Sequence, residues 1–455
     1  MSGGAEGGAP EPLLGGKHDY ASMTDTISAV VLKRRFGWWW WSGWLASGAL
    51  TVMFFIAIAY LFFKGPGIWG LNIPVAWGYA ITNYVWWIGI GMAGTFISAA
   101  LLVLRQEWRA AINRTAEAMT VFAVAIAGIF PILHLGRPYF FYWLFPYPGV
   151  MDIWPQWRSS LVWDFYALLA YLIVSILFFY TGLLPDLATF RDRAATRRGK
   201  VFYGLLALGW RGEARDWSRH ERLLLILGAM AVILVFSVHS MVGFDFSEGL
   251  TPGWHSTIFP PYFVAGALYS GFALVMCLVI PMRRILGFGD FITARHLDNL
   301  AKITLVACQF MTYSYLSEIF MAYYSGDVYE IAMTENRFYG FYAPVYWATI
   351  VCNSVIPQLL WFPRVRRSIR MLFIIGALIV IGMWLERFML ISTSLYQDFL
   401  PSAWGHFIPT VWDWIHLIGS MGLFAFLFLL FIRLLPAIAM YDMRKLLGKT
   451  PEEKP

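Results

Sequence analysis

The sequence predicts an all-α polytopic membrane protein, and three observations support this fold class. Of the 455 residues, 59% are hydrophobic and 18% aromatic, whereas only 13% are charged. Soluble domains carry about 25% charged residues, so about half of the usual water-facing charge is missing. The apolar residues form long runs, and no long polar linker divides the chain. These features exclude a disordered chain, a disulfide scaffold and an ordinary soluble enzyme as the main body.

Ten apolar runs are long enough to cross a bilayer as helices, which takes about 20 residues each. Barrel strands would instead alternate in hydropathy over about 10 residues. The predicted spans cover residues 38–63, 80–104, 115–135, 160–184, 223–243, 259–282, 303–325, 340–360, 371–395 and 412–436. Residues 37–440 therefore form the predicted ten-helix transmembrane domain. Residues 1–36 are expected to be a flexible cytoplasmic N-terminal tail rather than a signal peptide, and residues 441–455 a cytoplasmic C-terminal tail.

The distribution of Lys and Arg predicts the orientation. If the N-terminus is cytoplasmic, 29 of the 34 basic residues fall in inner segments, four fall in outer loops, and Arg387 lies within a span. Such an excess of positive charge marks the cytoplasmic side. Both termini are therefore expected in the cytoplasm, and the net charge of +7 reflects membrane insertion rather than nucleic-acid binding.

The three cysteines, Cys277, Cys308 and Cys352, all lie within predicted spans. They are not spaced as metal ligands, so we expect packing residues and no metal centre held by cysteines. The outer stretch 140–148 contains six aromatic residues and two prolines. A stiff apolar loop of this kind can lie in lipid headgroups or dock a partner.

Ionisable side chains within spans are costly, and they mark functional sites by default. Here they gather near the outer ends of the predicted helices: His134, Asp164, His239, Asp245, Glu318, Glu386, Arg387, Asp413 and His416. Single members have simpler explanations, since His134 could bond a carbonyl freed by Pro131 and Asp164 could favour a first helical turn. Their common depth favours a shared site.

Arg387 needs an acidic partner if it is buried. Adjacent residues point about 100° apart on a helix, so Glu386 is expected to serve it poorly. We therefore expect Arg387 to pair with Asp164 or Asp245. A histidine, two carboxylates and an arginine suit proton handling on a small amphipathic molecule such as a quinol. The composition also allows an ion or solute carrier.

Four short motifs carry a family resemblance. They are residues 134–138 (HLGRP), 163–164 (WD), 239–245 (HSMVGFD) and 384–388 (WLERF). In this order they resemble the membrane subunits of the NrfD-like, polysulfide-reductase type. That family anchors iron–sulfur oxidoreductases and exchanges electrons with quinones. Within it, the ten spans look most like the ActC-type subunits of bacterial alternative complex III.

This resemblance implies two four-helix bundles, helices 2–5 (residues 80–243) and helices 6–9 (residues 259–395), flanked by helices 1 and 10. It implies a quinol site at the outer face of the first bundle. His134 and Asp164 would be catalytic there, with Asp245, Arg387 and His239 completing quinol binding. It also implies a bacterial plasma-membrane location and three partners: an iron–sulfur subunit on the outer face, a second NrfD-like subunit and cytochrome c-type subunits.

The resulting hypothesis is oxidation of menaquinol, with electrons leaving to iron–sulfur clusters and haems on partner subunits. Gln309, Tyr313 and Glu318 on the seventh predicted helix suggest a coupled proton path, although polar residues also join helices. Three alternatives stay open: a quinone-reducing anchor of a polysulfide- or DMSO-type reductase, a solute or ion transporter, and a cytochrome b-like subunit with haem between His134 and His239.

Overall fold

The computed structural model describes residues 12–34, 36–145 and 156–447. All regular secondary structure in these ranges is helical, which confirms the predicted fold class. The helices are α1 (Tyr20–Leu32), α2 (Trp38–Lys64), α3 (Tyr79–Val103), α4 (Asn113–His134), α5 (Ser160–Arg193), α6 (Arg197–Leu206), α7 (Ala214–Ser247), α8 (Phe259–Leu286), α9 (Ala294–Ser325), α10 (Val328–Tyr339), α11 (Ala343–Ile350), α12 (Ile369–Leu395), α13 (Val411–Leu434) and α14 (Met440–Leu447).

Within the described ranges, eight helices are long and apolar enough to cross a bilayer: α2 to α5, α7, α8, α12 and α13. The predicted span 303–325 falls on α9, which has 32 residues. Polar side chains lower the hydropathy of α9 below that of the other eight helices. The predicted span 340–360 falls on α11, which continues as a π turn (Val351–Val355) and a 3-10 turn (Ile356–Trp361). The count of ten therefore stays a prediction.

The spanning helices form two groups. Helices α3, α4, α5 and α7 pack around one another, and α8, α9, α11 and α12 do the same. The first group is called the first bundle and the second group the second bundle. Helices α2 and α13, the first and last apolar helices, pack against each other, and α13 also packs against α4 and α3 of the first bundle. The predicted flanking helices thus lie side by side.

The two bundles join where α3 packs against α8. A Cβ atom added to Gly271 of α8 would lie 2.3 Å from the Ala93 Cβ of α3. On the other side of α3, a Cβ atom added to Gly94 would lie 2.2 Å from the carbonyl oxygen of Ala116 in α4. Glycine is required at both positions because the helix backbones approach too closely for any side chain.

The N-terminal segment differs from its prediction. Residues 20–32 form α1 rather than a flexible tail, and α1 packs against α14, α13 and α5. Asp19 caps the helix by accepting a hydrogen bond from the Ser22 N–H at 2.6 Å. Its buried face carries Met23, Ile27 and Val30. The cap and the spacing of three to four residues were present in the sequence. Apolar runs of about 20 residues predict membrane spans. They do not reveal a helix of 13 residues such as α1.

Candidate functional site

A small cavity of about 170 Å³ lies inside the first bundle, at the end that the charge distribution predicts to be outside. It is lined by Trp77, Ile81, Tyr84, Val85, Pro131, His134, Leu135, Leu144, Leu161, Asp164, Phe165, Asp245 and Phe246. Side chains from α3, α4, α5 and α7 contribute to this wall. The structure therefore brings three of the predicted site residues, His134, Asp164 and Asp245, to one apolar cavity.

Asp164 lies in the second turn of α5 and is 4% exposed. The hydroxyl of Tyr84, on α3, donates a hydrogen bond to Asp164 Oδ2. The second oxygen, Oδ1, is buried and has no hydrogen-bond partner among the described residues. Tyr84 therefore fixes the carboxyl group in one orientation, with one oxygen held and the other available to a ligand.

His134 reaches the cavity because α4 is interrupted. Its regular part ends at Ala127, and a short helical segment, Ile129–His134, continues after Gly128 and contains Pro131. Proline cannot donate a backbone hydrogen bond and clashes with the preceding turn, so it favours such a break. The His134 ring lies edge-on to Trp77, with 6.2 Å between ring centroids. Its Nε2 atom is buried and has no hydrogen-bond partner in the described part of the chain.

Asp245 enters the same cavity from the last turn of α7. Its Oδ1 atom is also buried and lacks a hydrogen-bond partner among the residues described. Buried polar atoms are nearly always hydrogen-bonded in folded proteins. Three such atoms, on His134, Asp164 and Asp245, facing one apolar cavity indicate a ligand with polar groups at its head. The carboxyl groups of Asp164 and Asp245 can accept protons, and the imidazole of His134 can accept or donate a hydrogen bond.

Arg387 does not meet the carboxylates of the cavity. Its Nη1 atom lies 3.2 Å from Glu386 Oε2, so its ion pair is with its neighbour in sequence. Its guanidinium also stacks over the Phe263 ring, with 4.3 Å to the ring centroid. The predicted pairing with Asp164 or Asp245 is wrong. Adjacent residues point about 100° apart on a helix, but the Glu386 and Arg387 side chains are both long enough to bend towards each other.

His239 lies apart from the cavity as well. It is fully buried on α7 and faces α3, where a Cβ atom added to Gly89 would lie 3.6 Å from His239 Nε2. Neither of its ring nitrogens has a partner in the described residues. The structure therefore does not bring His134 and His239 to one shared pocket, which the haem alternative requires. A quinol-binding role of His239 stays a prediction.

The residues of the predicted proton path lie in different surroundings along α9. Gln309 donates to the side-chain oxygen of Gln358 at 2.8 Å, which joins α9 to the turn after α11. Tyr313 is 64% exposed and lies on the surface of the second bundle rather than in its interior. Glu318 forms an ion pair with Arg337 at 2.7 Å. The three side chains do not form one hydrogen-bonded chain in the structure, and the path stays a prediction.

Two residues of the cavity, Tyr84 and Trp77, were not predicted from the sequence. Tyr84 lies in an apolar helix with many aromatic residues, and nothing local marks it as a partner of a residue 80 positions away. Trp77 lies in the loop before α3, and its ring contacts both His134 and Trp254. Membrane proteins carry many such aromatic residues near the interfaces. These two could be recognised only from the packing.

The fold and the cavity together define a multi-pass helical membrane protein with an apolar cavity inside one bundle, into which three polar side chains project. The profile of the family described as Polysulphide reductase, NrfD, matches residues 69–397. The chain therefore belongs to the NrfD polysulphide reductase family, which confirms the resemblance carried by its motifs. A redox role as one member of a complex follows from this membership.

Two relatives match along most of their length. One is a candidate membrane protein of a dimethyl sulfoxide reductase (its C subunit) from Halobacterium salinarum, 25% identical over 420 residues, or 87% of this chain and 91% of that protein. The other is the C subunit of selenate reductase from Mesobacillus selenatarsenatis, 23% identical over 413 residues, or 85% of this chain and 93% of that protein. Both relatives are named as the C subunits of reductases.

Proposed function

We propose that the chain binds a quinol in the cavity of the first bundle and oxidises it as the membrane subunit of an electron-transfer complex. The observation that carries this proposal is the set of three unpartnered polar atoms in an otherwise apolar cavity. A quinol has hydroxyl groups on an aromatic head and an apolar tail. Its head would satisfy these polar atoms, and its ring would pack among Trp77, Phe165 and Phe246.

The roles follow from the hydrogen bonds. His134 Nε2 accepts a hydrogen bond from one quinol hydroxyl and orients the ring. Asp164 Oδ1 accepts the proton of a hydroxyl, while Tyr84 keeps the carboxyl group in place. Asp245, which lines the same cavity, receives the second proton and passes it on. Oxidation of one quinol to the quinone releases two protons, taken by these groups, and two electrons.

The electrons would leave to an iron–sulfur cluster on a partner docked at the same end of the molecule. The supporting feature is a second hollow of about 680 Å³ beside the cavity, lined by Arg137, Phe140 and Trp143 among others. It shares Leu135 and Leu144 with the cavity wall. The rest of the aromatic loop, residues 146–155, lies outside the described residues. We infer a bacterial plasma-membrane location with both termini in the cytoplasm.

Two types of complex fit this proposal. The sequence resemblance favours an alternative complex III type, in which menaquinol is oxidised and cytochrome c-type subunits and a second NrfD-like subunit take part. The names of the two relatives favour a terminal reductase as the electron acceptor. Purifying the complex from its native membrane and identifying its proteins distinguishes them: cytochrome c-type subunits with a second NrfD-like subunit favour the first type, and a terminal reductase favours the second.

The decisive experiment replaces the proton acceptor. Asp164→Asn in the intact complex should lower the rate of quinol oxidation by about 10² to 10⁴, the usual contribution of a positioned base. The matched control is Glu330→Gln, a carboxyl change in a separate pocket that Glu318 and Glu330 help to line, which should leave the rate unchanged. Gel electrophoresis of both variants checks that every partner protein is present. Full activity of the Asp164→Asn complex would reject the assignment.

Coupled proton translocation is a separate proposal that rests on the polar residues of α9. Proteoliposomes given quinol and an electron acceptor would test it by the number of protons moved per electron. A ratio equal to that released by quinol oxidation alone would reject a pump.

A further inference from the structure

A second large groove lies at the opposite end of the molecule from the cavity. It has a volume of about 1070 Å³ and runs between the end of α8 and the start of α12. Basic residues are concentrated at this end, which the charge distribution predicts to face the cytoplasm. The groove opens towards the surface where the inner lipid headgroups would lie.

The wall of the groove is apolar on its membrane side. Ile280, Ile285, Phe373 and Ile374 line it, and the last three are exposed. A Cβ atom added to Gly287 or Gly289 would meet nothing within 4 Å, so the groove stays open beyond the end of α8. An exposed apolar wall of this shape accommodates a hydrocarbon chain lying between two helices.

The rim of the groove is positively charged. Arg283, Arg284 and Arg370 line it, and Arg34 donates a hydrogen bond to the Ile285 carbonyl oxygen at 2.6 Å. Arg283 uses its Nε atom to bond the Ile292 carbonyl oxygen at 2.6 Å. Within the described ranges, neither Arg284 nor Arg370 forms an ion pair.

One carboxylate also lines the groove, that of Asp290, and its side chain is 63% exposed. Asp290 Oδ2 lies 3.6 Å from His18 Nε2, and the Asp290 carbonyl oxygen accepts a hydrogen bond from the Gly15 N–H at 2.8 Å. Three guanidinium groups and this one carboxylate therefore line the groove, and the net charge of its rim is positive. Guanidinium groups bind phosphate oxygens well because their donors form a planar fork.

We propose that this groove is a binding site for an anionic glycerophospholipid of the inner leaflet. The lipid phosphate and headgroup lie against Arg284 and Arg370, and one acyl chain lies along Phe373 and Ile374. Basic pockets between helices on the cytoplasmic side bind anionic headgroups in this way. A soluble anion would use the arginines but leave the apolar wall uncovered. The proposal does not depend on the quinol site.

The test compares lipid retention by two double variants of the full chain in its complex. Arg284→Gln with Arg370→Gln removes charge from the groove. Arg364→Gln with Arg367→Gln removes the same charge from exposed positions on the same side, which do not line the groove. Each complex is purified in detergent, mixed with equal amounts of phosphatidylglycerol and phosphatidylcholine, and its bound lipid is measured by native mass spectrometry.

The groove variant should bind phosphatidylglycerol on the order of 25-fold more weakly, or about fivefold per arginine. The control variant should bind it as the parent does. Equal loss in both variants would overturn the proposal, because it would indicate general surface attraction. Equal retention of phosphatidylcholine by the parent would also overturn it. A second experiment places a cysteine in the groove with Ile374→Cys and adds a thiol-reactive lipid. A cross-link from this cysteine to a partner protein, rather than to the lipid, would also overturn the proposal.

Discussion

Two pockets open at the same end of the molecule, one in each bundle. They differ in whether their polar side chains have hydrogen-bond or ion-pair partners within the protein. In the first bundle, His134, Asp164 and Asp245 each present an unpartnered atom to the cavity. In the second bundle, a pocket of about 440 Å³ contains Glu318 and Glu330. There the acids have partners.

The partners in the second pocket belong to the protein itself. Glu318 is paired with Arg337, which also donates to the Ser394 hydroxyl at 2.9 Å. The two oxygens of Glu330 accept the Gly253 N–H at 3.0 and 3.1 Å. A satisfied network holds a structure together, whereas unsatisfied buried atoms need a ligand or a function. Depth in the membrane therefore does not distinguish the two pockets, but the hydrogen bonding of their acidic side chains does.

The largest expected effect comes from comparing one histidine in each pocket. His134→Gln should lower quinol oxidation by about a hundredfold or more, because it removes the imidazole that we propose binds a quinol hydroxyl. His255→Gln in the second pocket should change nothing, since His255 is exposed and hydrogen-bonds the Gly249 carbonyl oxygen at 3.1 Å. Steady-state kcat/KM of the two complexes measures this. Equal losses would remove the functional distinction between the pockets.

The second prediction concerns the second pocket, where a substitution should lower the stability of the fold. Arg337→Met leaves the partly buried Glu318 carboxylate without its cation, which costs about 2 kcal/mol in the free energy of unfolding. The double variant Arg337→Met with Glu318→Gln should recover most of that loss. Thermal unfolding midpoints in one detergent measure both. An unchanged midpoint in Arg337→Met would show that this ion pair does not hold the second pocket together.

The third prediction concerns Tyr84, which lines the cavity and, in the proposed mechanism, orients Asp164 through its hydroxyl group. Tyr84→Phe should lower kcat about tenfold, or about 1.4 kcal/mol in the barrier, because the carboxyl group loses its fixed orientation. The KM for quinol should change little. The split between kcat and KM separates this positioning role from a purely structural one. A loss of assembly with no change in kcat would contradict it.

The smallest effect is the pH dependence contributed by Glu330, which lies outside the spanning helices. Burial raises the pKa of this carboxyl above its ordinary value of 4.5. The folded state therefore binds the proton more tightly than the unfolded state, and stability falls as pH rises from 4.5 through the raised pKa. Glu330→Gln should remove this decline, so its advantage over the parent grows with pH. Unfolding midpoints measured from pH 4 to pH 8 would show it. A parallel pH profile would contradict the sign.

The sequence predicts most of the fold because hydrophobic length is a local property. Eight of the expected spans contain helices of sufficient length and apolarity. It also predicts His134, Asp164 and Asp245 as a group, because charged residues inside spans are rare enough to stand out. It fails for α1, whose 13 residues are too few for a span but carry a clear cap and an apolar face.

The pairings were decided by the tertiary structure. Arg387 was expected to reach across helices, and instead it bends towards Glu386 and stacks on Phe263. Tyr84 gave no local signal, and it holds Asp164. Both outcomes depend on which helix faces which, and on how side chains fill the space between them. A single sequence does not specify those contacts one residue at a time.

The amino-acid sequence by itself determined that this is a helical membrane protein of the NrfD family, and where its buried charges lie along the chain. Composition, run length and short motifs carry that information without any long-range contact. Only the tertiary structure decided which of those charges are satisfied by the protein and which face an apolar cavity. The physical reason is that buried polar side chains in the first bundle find partners far away in sequence, as Asp164 does in Tyr84. Whether such a partner is present depends on how the helices pack.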